Sequence, residues 1–371
     1  MGRIMGNRDT PRLQAMRARA FIIPTDRPEG DGTMQWDSTT LVVVEVEAGG
    51  EIGLGYTYTH GSVARLIDGR LTELVIGQDA MDVPAMTAAL WRGVRNMGRD
   101  GLVASAISAV DAALWDLKAK LLGLPLATLL GRVREDVPIY GSGGFTTYTD
   151  DELRAQLSGW VERDGCRWVK MKISAHPGQD PHRVAVARAA VGEHGLFVDS
   201  NGALSARQAM HVTRRFADAF GVLWHEEPVS SDDLEGLRLV RQHAPDITDI
   251  AAGEYGYDLD YFRRMLNAGA VDVQQADATR CGGITGFLKV GVLCEAHHID
   301  LSGHCAPSLH LHAACAVSRL RHLEWFHDHV RIERMLFDGA PVPRQGAIRP
   351  DLSRPGFGLA FKWQDAGRYA N

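Results

Sequence analysis

Seven ionisable residues recur at an even beat through the C-terminal two thirds of the sequence: Lys172, Asp199, Glu226, Glu254, Asp277, His304 and Glu324. Three of them, Asp199, Glu226 and Glu254, are carboxylates with no histidine or cysteine between them on the beat, a donor set suited to a hard cation that prefers oxygen. Mg²⁺ fits best, because it takes a few carboxylates and completes its octahedron with water or substrate. Lys172 comes one beat earlier in Lys170-Met171-Lys172, and strand alternation puts both lysines on one face. Crowding by Lys170 and a divalent ion is expected to lower the pKa of Lys172, as a general base requires. Asp277 and His304 follow the acids, and a carboxylate beside an imidazole fixes its orientation and favours its proton. Glu324 closes the series and, if protonated, could donate to a substrate oxygen that gains charge.

Each residue ends or closely follows a short apolar run and precedes a helical stretch. The intervals are 27, 27, 28, 23, 27 and 20 residues. One βα unit takes about 25–30 residues, so the beat is that of successive strand ends in a parallel (β/α)8 barrel, which places its chemistry on that rim. Eight candidate strands begin VPIYGS, WVKMKI, LFVDSN, VLWHEE, DIAAGE, AVDVQQAD, DLSGHC and LRHLEW, the number that closes the barrel. Ahead of them, residues 12–60 read as strands, with a hairpin closed at Ala48–Gly50 and a long polar loop, IPTDRPEGDGTMQWDS, expected between the first two. Helices follow, most clearly GLVASAISAVDAALWDLKAKLLG, stopped by Gly123 and Pro125. The expected organisation is an α+β capping domain over residues 1–132, a barrel over 133–330, and a segment over 331–371 that returns to the cap.

At 371 residues the chain exceeds the ~250 of a bare barrel, in keeping with a second domain. A net charge of −6 argues against a nucleic-acid partner. Five cysteines without a Cys-x-x-Cys pair read as buried free thiols of a cytoplasmic protein. The Arg-rich start lacks the apolar core of a secretory signal, Gly2 lacks a myristoylation context, and no run is long enough for a membrane span.

Taken in order, Lys-x-Lys, Asp199-x-Asn201, Glu226-Glu227-Pro228, Gly253-Glu254, Asp277 followed by Gly282-Gly283, His304 and His322-Leu323-Glu324 resemble the mandelate racemase subgroup of the enolase superfamily. The resemblance covers nearly the whole chain and implies a modified barrel with an α+β cap, Mg²⁺ on the three acids, and removal of the α-proton of a carboxylate substrate by Lys172 or His304. Lys170 and Glu324 would stabilise the enediolate. It also implies a symmetric homo-oligomer such as an octamer. Reprotonation from the opposite face gives a racemase or epimerase of a 2-hydroxy acid; loss of a β-hydroxyl gives a dehydratase of an aldonate or aldarate. In such enzymes a cap loop closes over the substrate. Here the loop holds Arg27 and Trp36 among polar residues, partners for the hydroxyls of a sugar acid, and Asn201, two residues past Asp199, is expected on the same strand face. A barrel hydrolase would carry His-x-His on its first strand, which VPIYGSGG lacks. A muconate-lactonising or dipeptide-epimerising relative would have lysine where this chain has Asp277 or His304. A non-catalytic barrel would tolerate loss of Lys172 or His304, and both are present.

Overall fold

The computed structural model describes residues 10–370. The first nine residues, with Gly2, lie outside that range. The cap opens with an antiparallel sheet of β1 (Ala15–Gly30), β2 (Gln35–Ala48) and β3 (Glu51–Tyr58) in that order. Val42, Val44 and Val46 alternate along β2 and are fully buried on one face, with Leu41 and Val43 on the other, so β2 is covered on both sides. Gly49 and Gly50, at φ 59° and 83°, make the two left-handed residues of a two-residue hairpin, and Ala48 pairs with Glu51 as the sequence suggests.

The expected loop between β1 and β2 is mostly strand. Pairing runs from Ala15↔Glu47 to Pro24↔Ser38, breaks, and resumes at Glu29↔Trp36 and Gly30↔Gln35. Composition misleads here because β1 is an edge strand, where a proline such as Pro24 is tolerated and polar side chains meet solvent. The residues between Pro24 and Glu29 bulge out. The turn is short and held by Asp31, whose Oδ1 accepts from the Thr33 and Met34 amides at 2.7 and 2.9 Å.

Eight parallel strands form the barrel: β4 (Val137–Gly143), β5 (Trp168–Lys172), β6 (Gly195–Asp199), β7 (Val222–Glu226), β8 (Asp249–Ala252), β9 (Val273–Ala276), β10 (Asp300–Gly303) and β11 (Leu320–Phe326). Each pairs with the next, and β11 returns to β4 through Leu323↔Ile139, closing the ring. All eight expected strands are present. Tyr140, Phe197, Trp224, Ala251 and Val273 fill the interior as a separate apolar cluster. His322 joins it edge-on to Tyr140 at 4.7 Å, and burial lowers its pKa to about 3, so it serves as a neutral ring of the plug.

The helix Leu102–Leu121 lies across β3 and carries the cap onto the barrel. The seam contains paired polar groups. Tyr56 Oη donates to Glu333 at 2.7 Å, Thr57 to the Thr279 carbonyl at 2.8 Å, and Trp115 Nε1 to Thr285 at 2.9 Å. Beyond the barrel the chain first stitches Ala347–Ile348 antiparallel to Pro138 and Val137 of β4. It then brings Phe361 and Trp363 to Phe21 of β1, at ring separations of 5.2 and 6.0 Å. Position 330 falls inside the helix His327–Leu336, which continues the barrel's alternation. Among the described residues no helix is long and apolar enough to cross a membrane.

Candidate active site at the barrel mouth

Register sets the site. Lys172 pairs with Asp199 and Asp199 with Glu226, so three consecutive strands end flush with a functional group each. Glu254 follows Gly253 just past β8. Asp199, Glu226 and Glu254 are all buried and offer ligand atoms within 4.8 Å of one another. Glu254 Oε2 is buried with no hydrogen-bond partner. An all-carboxylate donor set with an orphaned oxygen fits a hard divalent cation.

Both lysines face inward, as alternation requires. Lys170 is fully buried and contacts Glu226, Glu324 at 2.7 Å and Asp199 at 3.3 Å, with its ammonium 5.5 Å from the Tyr140 ring. Lys172 Nζ lies 2.6 Å from Asp199. The expected fall in its pKa presupposes a divalent ion beside it, and the protein's own groups act the other way. Burial pulls it down most, but Asp199, Glu254 and Glu226 together outweigh burial and the repulsion of Lys170, and the ammonium is held above its ordinary value. Glu324, which could donate only if protonated, is held ionised. Burial would raise its pKa, but Lys170 and His304 hold it well below the usual range, and it accepts from Ser142 Oγ at 2.6 Å and the Cys305 amide at 2.9 Å. Glu226 is pushed up, to about 8, by burial and by the neighbouring Asp199 and Glu324.

Across the mouth, His304 Nδ1 lies 2.9 Å from Asp277 Oδ2, and Asp277 also accepts from the Thr279 amide at 2.7 Å. His304 Nε2 is thereby aimed at the cavity, 3.4 Å from Glu254 Oε2. Burial disfavours the imidazolium, but Glu254, Glu324 and Asp277 together hold its pKa above the ordinary value.

Lys172, Asn201, Glu254, His304 and Glu324 line one cavity of about 420 Å³ whose other wall is the cap, including Asp31, Met34, Trp36 and Tyr58. Asn201 reaches it for a different reason from the one expected. It lies beyond β6 with φ 46°, its amide donates to Asp199 Oδ1 at 2.9 Å, and its buried Oδ1 has no partner. Trp36 also lines the cavity, set by a bond from Nε1 to Glu29 at 2.9 Å and an edge contact with Phe145. Arg27 is not brought there. It stands on the outward bulge of β1, more than half exposed, paired with Glu152 at the start of the helix Asp150–Glu162.

Sequence reasoning missed Arg280, which bridges Glu254 at 3.3 Å and Asp277 at 3.4 Å. Its i+3 spacing from Asp277 was a usable signal. It also missed Tyr58 and His329, stacked at 3.5 Å in the wall, and Cys305; no spacing marks these.

The chain matches the model for the mandelate racemase / muconate lactonizing enzyme N-terminal domain over residues 24–131 and that for the enolase C-terminal domain-like family over residues 152–366. A solved mandelate racemase/muconate lactonizing enzyme-like protein of Rubrobacter xylanophilus superposes with a TM-score of 0.95 at 51% identity, covering 97% of this chain and 100% of that one. A 3,6-anhydro-alpha-L-galactonate cycloisomerase of Streptomyces coelicolor is 33% identical over 96% of this chain and 99% of its own length. An L-talarate/galactarate dehydratase of Salmonella typhimurium is 33% identical over 88% of this chain and 85% of its own. Its structure liganded with Mg and L-lyxarohydroxamate superposes with a TM-score of 0.89 at 27% identity, covering 100% of this chain and 96% of that one. With both halves of the fold matched and relatives aligned over almost its whole length, the chain belongs to the mandelate racemase subgroup of the enolase superfamily.

Proposed function

We propose that this chain is a Mg²⁺-dependent dehydratase of a sugar acid, an aldonate or aldarate, giving the 2-keto-3-deoxy acid. The observation that carries the reading is that Lys172 and His304 line one cavity together with Glu254 and the partnerless Asn201 Oδ1. Asp199, Glu226 and Glu254 would hold the ion. Bound there, Mg²⁺ supplies Lewis acidity toward the substrate carboxylate. With Asp199 engaged in holding the ion, its grip on the Lys172 proton would relax and bring that amine nearer to the pKa of a working base. Lys172 Nζ then takes the α-proton on one face. The Lys170 ammonium stabilises charge moving onto the carboxylate oxygens. His304, kept protonated by Glu254, Glu324 and Asp277, gives its Nε2 proton to the departing β-hydroxide. Asn201 and Trp36 face the remaining hydroxyls.

A cycloisomerase is the second reading, favoured by the relative of that name aligned over nearly the entire chain. It needs the same α-proton removal and β-oxygen departure, with the leaving oxygen kept in the product by a ring bond. A racemase of a small 2-hydroxy acid would use the same two bases without a leaving group. A screen of aldonates, aldarates and their anhydro and lactone forms with Mg²⁺ separates them. Keto product with release of water supports the dehydratase, an isomeric product of equal mass supports the cycloisomerase, and α-deuterium incorporation with inversion supports the racemase. Asp199→Asn should lower whichever turnover is found by ~10³-fold or more with an unchanged circular dichroism spectrum. A homo-oligomeric assembly belongs to the same proposal and is read by light scattering.

A further inference from the structure

Cys305 follows His304 at the end of β10, and its side chain lines the cavity. Its backbone is left-handed at φ 53°, as is that of Ala306 at φ 37°. Two such L-residues in succession are strained, and the strain is held by bonds from their amides to Glu324 Oε2 at 2.9 Å and His329 Nδ1 at 3.2 Å. The outcome is a thiol placed between two other donors. Cys305 Sγ is 3.3 Å from His304 Nε2 and 3.3 Å from Glu324 Oε2, and those two atoms are 3.6 Å apart. A Zn²⁺ bound tetrahedrally to one sulfur at ~2.3 Å, one nitrogen at ~2.0–2.1 Å and one oxygen at ~2.0–2.2 Å separates its ligand atoms by roughly 3.3–3.6 Å. Each edge of the triangle lies within roughly 0.3 Å of what such an ion needs, so small side-chain shifts complete the site.

The outer contacts have the same character. His304 presents Nε2 because Nδ1 is engaged by Asp277 at 2.9 Å, the carboxylate–histidine arrangement that supports metal-binding imidazoles. Glu324 presents Oε2 because Oε1 is engaged by Ser142 at 2.6 Å and Lys170 at 2.7 Å. Of the five cysteines, Cys305 alone falls in a group of this kind among the described residues.

We propose that His304, Cys305 and Glu324 form a second cation site, distinct in donor set from Asp199, Glu226 and Glu254, which takes a thiophilic divalent ion such as Zn²⁺ or Cd²⁺. Softness sorts the two: sulfur and imidazole select Zn²⁺ or Cd²⁺, while three carboxylates select Mg²⁺. On binding, the thiol proton and the Nε2 proton of His304 both pass to buffer as the metal–sulfur and metal–nitrogen bonds form, and one thiolate and one carboxylate balance the ion's charge. That leaves a fourth position for water. Because His304 and Glu324 are shared, the occupied site cannot deliver a proton from His304, so the ion inhibits. The inhibition rests on the function proposed above; the binding does not.

The test uses the full chain saturated with Mg²⁺ and titrated with Cd²⁺ without substrate, followed by the cadmium–thiolate charge-transfer absorption. A band that saturates at one Cd²⁺ per chain and is absent in Cys305→Ser is the expected result. No band in the wild type, or a band unchanged in Cys305→Ser, overturns the proposal, since Cd²⁺ on the carboxylates alone gives no thiolate band. Should the serine variant fail to fold, His304→Asn serves instead. It should weaken Cd²⁺ by ~10-fold or more, and an unchanged affinity overturns the site. The absorption is read whether or not the chain turns over a sugar acid, so its failure and that of the proposed function are separate outcomes.

Discussion

At the scale of residues, what the sequence made legible was position, and what it concealed was protonation. Position follows from backbone period. A group at each strand end every ~25 residues must stand on one rim, whatever its neighbours do. Protonation depends on which side chain is nearest, and only packing decides that. The 2.6 Å approach of Asp199 opposes the fall that an ion beside Lys172 would bring, and the bond to Lys170 keeps Glu324 ionised. The two bases can be told apart experimentally. For a substrate of one α-configuration, either Lys172→Ala or His304→Asn should keep solvent deuterium exchange at the α-carbon while losing net product, and the other should lose both. Full turnover in both variants would remove these residues from the chemistry.

Among elements, the β1–β2 hairpin decides how the cap meets the mouth. Its reach was hidden because a polar edge strand and a polar loop have the same composition. The bulge between Pro24 and Glu29 explains why Trp36 faces the cavity while Arg27 faces away. At the tip, Gly32 lies so close to β5 and β6 that an added Cβ would stand 2.4 Å from the Ser200 carbonyl oxygen and 2.9 Å from that of Ile173. Both are backbone atoms next to functional residues and cannot give way. Gly32→Ala should therefore lift the tip and raise KM more than it lowers kcat; an unchanged KM would mean the tip does not close the substrate in. The hairpin is also sensitive to pH. Glu29 is fully buried, with Oε1 lacking a partner, and burial followed by Asp328 raises its pKa from 4.5 to about 9. With the folded value above the unfolded one, its contribution is fully present below pH ~4.5 and is lost as pH rises toward 9. Glu29→Gln should flatten the decline of Tm across that window and melt above the wild type at its alkaline end. A parallel decline in both proteins would locate the titrating group elsewhere.

For the whole molecule, the seam between cap and barrel behaves as interior. Tyr56, fully buried, donates from the cap to Glu333 of the barrel's last helix, and one apolar cluster includes Phe21, Leu41 and Tyr56 together with Ile139, Val169 and Leu323. Tyr56→Phe removes the donor and leaves a buried carboxylate oxygen short of a partner, at a cost of about 1–3 kcal/mol. Calorimetry should find a lower Tm with a single transition retained. A split transition would mean that cap and barrel melt separately.

The sheet that begins the cap is finished by Phe361 and Trp363, which cover Phe21 from some 340 positions further along the chain. On the ribosome, at roughly 5–20 residues per second, that interval lasts on the order of 20–70 s. Throughout it the cap's first strand has emerged with an aromatic ring whose cover has not been made, while all eight barrel strands are still arriving. The cap thus reaches its final packing after the barrel it covers. A ribosome stalled between the barrel and Phe361 would hold out a chain with its strand-end acids in place and its cap unfinished, a natural target for chaperones and proteases that read exposed aromatic surface.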